Sequence, residues 1–537
     1  MTSSLTPAQV DALLAAAGSG SVVHLVGAGG CGMSGLGHLL LDRGHRVTGS
    51  DLVLNEETRQ LQARGAVIHS GHAAGMVEGG RPVLVVFTPA VRSDNVELQA
   101  ARAAGLPTVR RAVLLAALLS HEESVAVAGM HGKTTTSALL AFALQQLGAS
   151  PSYAIGSRVP QLEPHARLLP PAATPARPWF VFEADESDGT LPLFHPRHAL
   201  LLNVDAEHLD HFADLDAVGR DFGQLAAQTK GLRIYCQDDP GLCRLVEGWP
   251  STVSFGFDSA ADYRAALTNS GAETVSGHPA SSFEVWHQGS SLGRFTLQLL
   301  GEKNVSNATA VVAFLHQLGF APKVIAPALA AFRGAARRQQ ELFANGQVRV
   351  FDDYGHHPTE IRATLQALQQ LGGRRLLVAF QPHRFTRTRH LMGEFATAFA
   401  GADELWLTEI YAASEPTIPG VSSAVLAAAI RAHGQAVHLV PDLNELGEAV
   451  IQAIRPGDVV LFLGAGDITR VAHEVAERLA KASEACRAGS AGFQPAEAIS
   501  KRRSSRREEA PFRVQRSEIR RTSEPPHVGC YSFAGGR

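Results

Sequence analysis

The sequence predicts an α/β protein of several domains, each a parallel sheet covered by helices. Two observations carry that expectation. Apolar, β-branched runs alternate with amphipathic segments from "SVVHLVGAGGCGMSG" to "DVVLFLGAGDITRVAHEV", the order that places crossover helices on both faces of a sheet. The chain also has 537 residues, room for roughly three to four domains of ordinary size.

Taken in order, "SVVHLV" opens the first unit, followed by a glycine turn, a helix, and a strand ending at Asp51. "GAVIHSG" and "PVLVVFTPA" continue it as strands, "NVELQAARAAG" and "RAVLLAALLSH" as helices. This N-terminal unit is expected over 1–121. A second unit, 122–333, starts at "SVAVAGMHGKTTT" and runs through "WFVFEADESD", "HALLLNVDAEHLDHF" and "LRIYCQDDP". Around 251–300, "STVSFGF", "SFEVWHQG" and "GRFTLQLLG" read as short alternating strands of an antiparallel ribbon. The third unit, 334–482, holds "VRVFDDYGHHPTEIRATLQAL", "RRLLVAFQPHRFTRTRHLM" and "ADELWLTEIY". Residues 483–537 lose all periodicity and carry eleven Lys or Arg against six Asp or Glu. They read as a disordered basic tail.

Composition excludes several classes. At 45% hydrophobic and 18% charged residues the chain has material for several cores. A net charge of -3 gives no pull toward nucleic acid. The five cysteines, Cys31, Cys236, Cys243, Cys486 and Cys530, form no C-x-x-C pair, so neither a disulfide framework nor a zinc site is expected. The N-terminus lacks a charged region followed by an apolar core. No run approaches the ~18 apolar residues of a membrane span. The expected location is the cytoplasm, without membrane insertion.

The chemistry gathers at strand ends. In "VAVAGMHGKTTT", Gly129 and Gly132 would turn backbone N–H groups toward an anion at a helix N-terminus. Lys133 would reach terminal phosphates and Thr134 a magnesium ion. Val127 stands where the longer phosphate loop has its first glycine, and is read as strand. "FVFEADESDG" ends a strand in Glu183, Asp185, Glu186 and Asp188, carboxylates suited to holding that metal. "LLNVDAEHLDHF" offers Asp205, His208 and Asp210 for a second divalent ion. The first loop, Gly27-Ala-Gly29-Gly30-Cys-Gly32 with Asp51 beyond it, fits G-x-G-x-x-G. That pattern serves a diphosphate, whether of a dinucleotide or of a nucleotide sugar. A dinucleotide there would make the chain an NAD-dependent dehydrogenase. A separate phosphate loop argues for a ligase instead. Asp353, Tyr354, His356, His357, His383, Arg384 and Arg387 suit an anionic substrate, with an imidazole for an amine proton.

The succession "HLVGAGGCGMSG", "GMHGKTTT", "EADESD", "NVDAEHLD", "NVSNA", "DDYGHHPTE", "FQPHRFTRTR" and "GAGDI" resembles the Mur ligase family of peptidoglycan synthesis, over about residues 20 to 480. Within that family it is similar to the ligases that join L-alanine to UDP-N-acetylmuramate. The resemblance implies an N-terminal Rossmann-like domain for the UDP-sugar, a central ATPase with a mixed sheet, and a C-terminal Rossmann-like domain. It also implies ATP and Mg²⁺, with Gly129, Met130, His131, Gly132, Lys133, Thr134 and Thr135 around the phosphates. Thr134 with Glu183 would hold one Mg²⁺, and Glu183 with His208 a second. Asn304 and Asn307 would lie near the adenine, Arg338 and Asp353 near the rest of the nucleotide. Tyr354, His356, His383 and Arg387 would shape the L-alanine site. Gly27, Gly29, Gly30, Gly32, Asp51 and Thr88 would cradle the UDP moiety. Lys133, His356, His383 and Arg387 are the residues expected to act in catalysis. Three motifs depart from the family pattern: Lys303 replaces a histidine, Met130 a threonine, and Gln339-Gln340 the aromatic after the arginine pair. A related ligase that attaches a recycled tripeptide to the same sugar nucleotide shares most of these motifs.

Overall fold

The structure, a computed structural model, describes residues 5–170, 179–186, 189–204, 215–268 and 273–488. Three sheets organise it.

The first sheet has five strands in the order Val67–Ser70, Arg46–Asp51, Val22–Val26, Leu84–Phe87, Thr108–Arg110, all parallel. Valines and leucines fill its centre, with Val23, Leu25 and Leu84 fully buried. Helix Cys31–Asp42 packs Met33, Leu36, Leu39 and Leu40 onto it. The chain order reverses between Val22–Val26 and Leu84–Phe87. The loops that follow these two strands therefore diverge at the edge where such sheets bind ligands.

The second sheet has eleven strands. Glu123–Ala128 lies between Trp179–Glu183 and His198–Leu201 and is parallel to both. Pairing of Val127 with Glu183 and of Ala128 with Leu201 brings three strand ends to one edge. The antiparallel part is narrower than expected. His278–His287 pairs antiparallel with Tyr263–Leu267, Glu273–Val275 and Ser290–Leu297. "STVSFGF", however, is strand Thr252–Gly256, which lies parallel to Arg233–Cys236. Helix Pro240–Leu245 between those strands supplies the crossover that parallel pairing needs.

The third sheet orders six strands as Gln340–Ala344, Arg349–Asp353, Val459–Leu463, Leu376–Phe380, Glu404–Leu407, Val437–Leu439. Only the first is antiparallel to its neighbour. The final helix runs Ile468–Ala488, past the end at 482 expected from sequence. Val471, Ala472, Val475 and Leu479 bury one stripe of it, and the Asn345 amide donates to Ser483 Oγ at 3.1 Å. The rest of the expected tail lies outside the described residues.

One continuous apolar core joins the first two sheets, whereas the third has separate cores on its two faces. Among the described residues no helix is long and apolar enough to cross a membrane.

Candidate active site

The phosphate loop connects strand Glu123–Ala128 to helix Lys133–Gln146. Gly132 is the helix N-cap in the left-handed region, at φ 86°, and no side chain caps the helix. A Cβ at this position would stand 2.7 Å from Asn307 Oδ1. Lys133 Nζ folds back to donate to Gly129 O at 2.7 Å, Met130 O at 3.3 Å and Glu186 Oε1 at 2.8 Å. Burial works against its charge, but Glu186 and Asp185 outweigh burial and hold its pKa above the ordinary value. The loop backbone is clamped by Asn203, which accepts from His131 N at 2.8 Å and donates to His131 O at 3.0 Å.

Glu183 sits beside that loop. It accepts from Gly156 N at 2.6 Å, Ser137 Oγ at 3.2 Å and Thr134 Oγ1 at 3.2 Å. Burial pushes its pKa up, against the pull of the Gly156 N–H and Lys133. A half-buried carboxylate and an adjacent hydroxyl make a hard-oxygen pair suited to Mg²⁺, and a cation there would relieve the cost of its partial burial. Arg338 Nη2 approaches the same Thr134 hydroxyl at 3.4 Å. His208, with Asp188, Asp205 and Asp210, lies outside the described residues.

At the first sheet's edge Gly27 takes φ 86°, and a Cβ on it would meet Thr88 Cγ2 at 3.0 Å. Asp51 Oδ2 accepts from Gly29 N at 2.8 Å, bracing the glycine loop rather than pointing away from it. Gly30 is the N-cap of helix Cys31–Asp42, again without a side-chain cap. Arg111 leans over this N-terminus and pairs with Asp185 of the second sheet.

In the third sheet Asp353 accepts from Gln339 N at 2.8 Å and Gly355 N at 2.7 Å. Burial raises its pKa to about 6, despite Arg338. The guanidinium groups of Arg337 and Arg338 each lie 4.9 Å from the centre of the Tyr354 ring. His356 and His383 stand 5.8 Å apart, and Arg387 Nη1 lies 3.1 Å from His383 Nδ1. Burial is the main cause that pushes His356 well below its usual range and His383 down to about 3, with Arg387 and Arg384 adding to the latter. Both shifts favour the neutral imidazole, the form able to accept a proton or a hydrogen bond.

A cavity of about 900 Å³ joins these parts. Its wall includes Gly27, Gly30, Gly32, Asp51 and Thr88 from the first sheet, and Lys133, Thr134 and Glu183 from the second. Arg337, Arg338 and Tyr354 complete it from the third. His356, His383, Arg387 and Asp353 are not part of that wall. Asn307 contacts the phosphate loop at Gly132, whereas Asn304 donates to Leu300 O at 2.8 Å.

Known proteins share this arrangement. Residues 22–123 match the Mur ligase family catalytic domain, 127–315 the Mur ligase middle domain, and 337–466 the Mur ligase glutamate ligase domain. The UDP-N-acetylmuramate–L-alanine ligase of Anaeromyxobacter sp. (strain Fw109-5) is 44% identical over 457 residues, 84% of this chain and 96% of that protein. The chain belongs to the Mur ligase family. It is thereby an ATP-dependent, amide-forming ligase. The similarly named ligase of Myxococcus xanthus is 40% identical over 85% of this Mur ligase and 95% of its own length. The crystal structure of UDP-N-acetylmuramate–alanine ligase from Thermotoga maritima aligns with a TM-score of 0.72 at 29% identity, over 86% of this chain and 99% of that one. A murein peptide ligase from Psychrobacter arcticus shares the fold, with a TM-score of 0.63 at 23% identity over 85% and 98% of the two chains.

The departures from the Mur ligase pattern find places. Met130 is buried and offers only its carbonyl to Lys133. Lys303 contributes its charge to the surroundings of Glu360. Gln339 exchanges hydrogen bonds with the Leu300 backbone, and Gln340 accepts from Arg337 N. Sequence reasoning passed over Arg111, Asn203, Arg337 and Glu360. Two of them carried a local signal. Arg111 directly follows a strand end, and Glu360 stands three residues after the helix N-cap His357 in capping-box spacing.

Proposed function

We propose that this Mur ligase joins L-alanine to the lactyl carboxylate of UDP-N-acetylmuramate, forming UDP-N-acetylmuramoyl-L-alanine, ADP and phosphate in the cytoplasm. The observation that carries this reading is the single cavity shared by a diphosphate-type glycine loop, a phosphate loop and a cationic, aromatic wall from the third sheet. A carboxylate and an amine exchange a proton rather than condense, so the carboxylate must first gain a leaving group. ATP phosphorylates it, and the L-alanine amine displaces phosphate from the acyl phosphate.

The uncapped N-terminus of helix Cys31–Asp42 would hold the UDP diphosphate. That of helix Lys133–Gln146 would hold the ATP phosphates, with Lys133 leaving Glu186 for the transferring phosphoryl group. Thr134 and Glu183 would bind Mg²⁺, which neutralises phosphate charge when present, and His208 would add a second site. Arg387 would bind the L-alanine carboxylate. The neutral imidazoles of His356 and His383 would orient the amine, with the proton leaving toward released phosphate or water. Cavity walls from all three sheets would shield the acyl phosphate from hydrolysis once both nucleotides fill the space between them.

Phosphate release measured with each L-amino acid, with and without UDP-N-acetylmuramate, tests the reading. Release should require both the sugar nucleotide and L-alanine. Preference for the tripeptide L-alanyl-γ-D-glutamyl-meso-diaminopimelate would assign the chain to the recycling ligases. The 44% identity to an L-alanine ligase favours the first outcome.

A further inference from the structure

Helix Pro358–Gln369 of the third unit lies against the second unit at both ends. Near its C-terminal end, a Cβ on Gly301 would meet Ala367 Cβ at 2.6 Å, so the two backbones approach as closely as glycine permits. At its N-terminal end Glu360 reaches the phosphate loop. His131 Nδ1 lies 3.1 Å from Glu360 Oε1. The other oxygen, Oε2, accepts from His356 N at 3.1 Å and His357 N at 3.3 Å. The His131 backbone is itself fixed on both sides by Asn203. One largely enclosed carboxylate, 12% exposed, thus bridges the loop that holds the ATP phosphates and the turn that presents His356 to the amino-acid site.

We propose that Glu360 is a positioning residue that couples the two substrate sites, transmitting the placement of the phosphate loop through His131 to the backbone of His356. The inference rests on the reading of His356 as part of the L-alanine site. The geometry distinguishes the bridge from an ordinary helix cap. A cap needs only the Oε2 contacts to the His356 and His357 amides, whereas Oε1 is directed out of its own unit to His131. Docking of the third unit, order in the His356 turn and placement of the phosphate loop therefore share one group. Two sites linked through such an element bias each other's occupancy reciprocally.

The test is a double-mutant cycle in the full-length enzyme, with His131→Ala, Glu360→Gln and their combination. KM for L-alanine is read at saturating ATP and UDP-N-acetylmuramate, and kcat and thermal midpoint are read alongside. Each single variant should raise KM for L-alanine about tenfold. The double variant should be no worse than the poorer single one, because the shared interaction is lost only once. Multiplication of the two effects to about a hundredfold would show independent roles and overturn the coupling. So would Glu360→Gln with a lowered thermal midpoint but unchanged KM, the signature of a cap alone. Should Glu360→Gln fail to fold, His131→Ala against His131→Asn keeps the comparison, since Asn retains a donor toward Oε1 and should recover part of the KM. Equal KM values for those two variants would overturn the proposal. Failure of the functional reading would look different, since wild-type turnover would then not depend on L-alanine at all.

Discussion

Lys133 illustrates how a residue's chemistry is held in reserve. Its half-buried ammonium is bonded to two loop carbonyls and Glu186, which hold it in its charged form, the form the proposed contact with phosphate needs. Lys133→Ala should lower kcat by at least about 10³, with the fold intact, as phosphate release and circular dichroism together will show. Asp353 carries a sign that runs against most carboxylates. Its pKa is raised by burial to about 6, from 3.8 when unfolded. Folding therefore favours the protonated form. The group's contribution is fullest below pH 3.8 and is lost as pH rises through 6, a change of about 3 kcal/mol. Relative to Asp353→Asn, the wild type should lose stability between pH 4 and 7, measured as the difference in urea midpoints. A constant difference across that range would sink this account. Legibility at this scale followed locality. Lys133, Glu183 and Tyr354 announced themselves through their neighbours in sequence. Arg111 with Asp185, and His131 with Glu360, meet across 74 and 229 positions, separations at which no local pattern carries a signal.

Elements were read more completely than their pairing partners. Strand, glycine turn and helix succeed one another at Val22–Val26 and at Glu123–Ala128 as the apolar runs foretold, because a parallel strand buried on both faces writes a continuous apolar run. Strand Thr252–Gly256 was misjudged because it is short and alternating, and its parallel register depends on Arg233–Cys236 rather than on its own sequence. The phosphate loop gives the sharpest test at this scale. Gly132 holds φ 86°, and a methyl there would press on Asn307. Gly132→Ala should cost about 1–3 kcal/mol from backbone strain and weaken ATP more than UDP-N-acetylmuramate. Calorimetric titration of each nucleotide will check this, and equal weakening would point to general damage.

The whole molecule divides unequally. The first and second sheets share a continuous apolar core. The third keeps separate cores on its two faces, and Leu300 is the one buried member of them that comes from the second unit. Polar links cross to it, such as His131 with Glu360, Arg338 with Thr134, and Ser157 with the Ala336 carbonyl. Three sheets were foreseeable from alternation. This asymmetry was not, since it depends on which faces meet. Units with separate cores and polar junctions unfold separately unless a ligand bridges them. Urea unfolding without ligand should therefore show two transitions. Trp406 is buried against the third sheet, while Trp179, Trp249 and Trp286 belong to the central unit. Trp406→Phe should accordingly remove the fluorescence change of one transition and leave the other. On the proposed function, a non-hydrolysable ATP analogue with UDP-N-acetylmuramate would fill the shared cavity and should draw the two midpoints together. A single transition in the free enzyme, followed identically by all four tryptophans, would mean that the polar junctions bind the third unit as firmly as a core does.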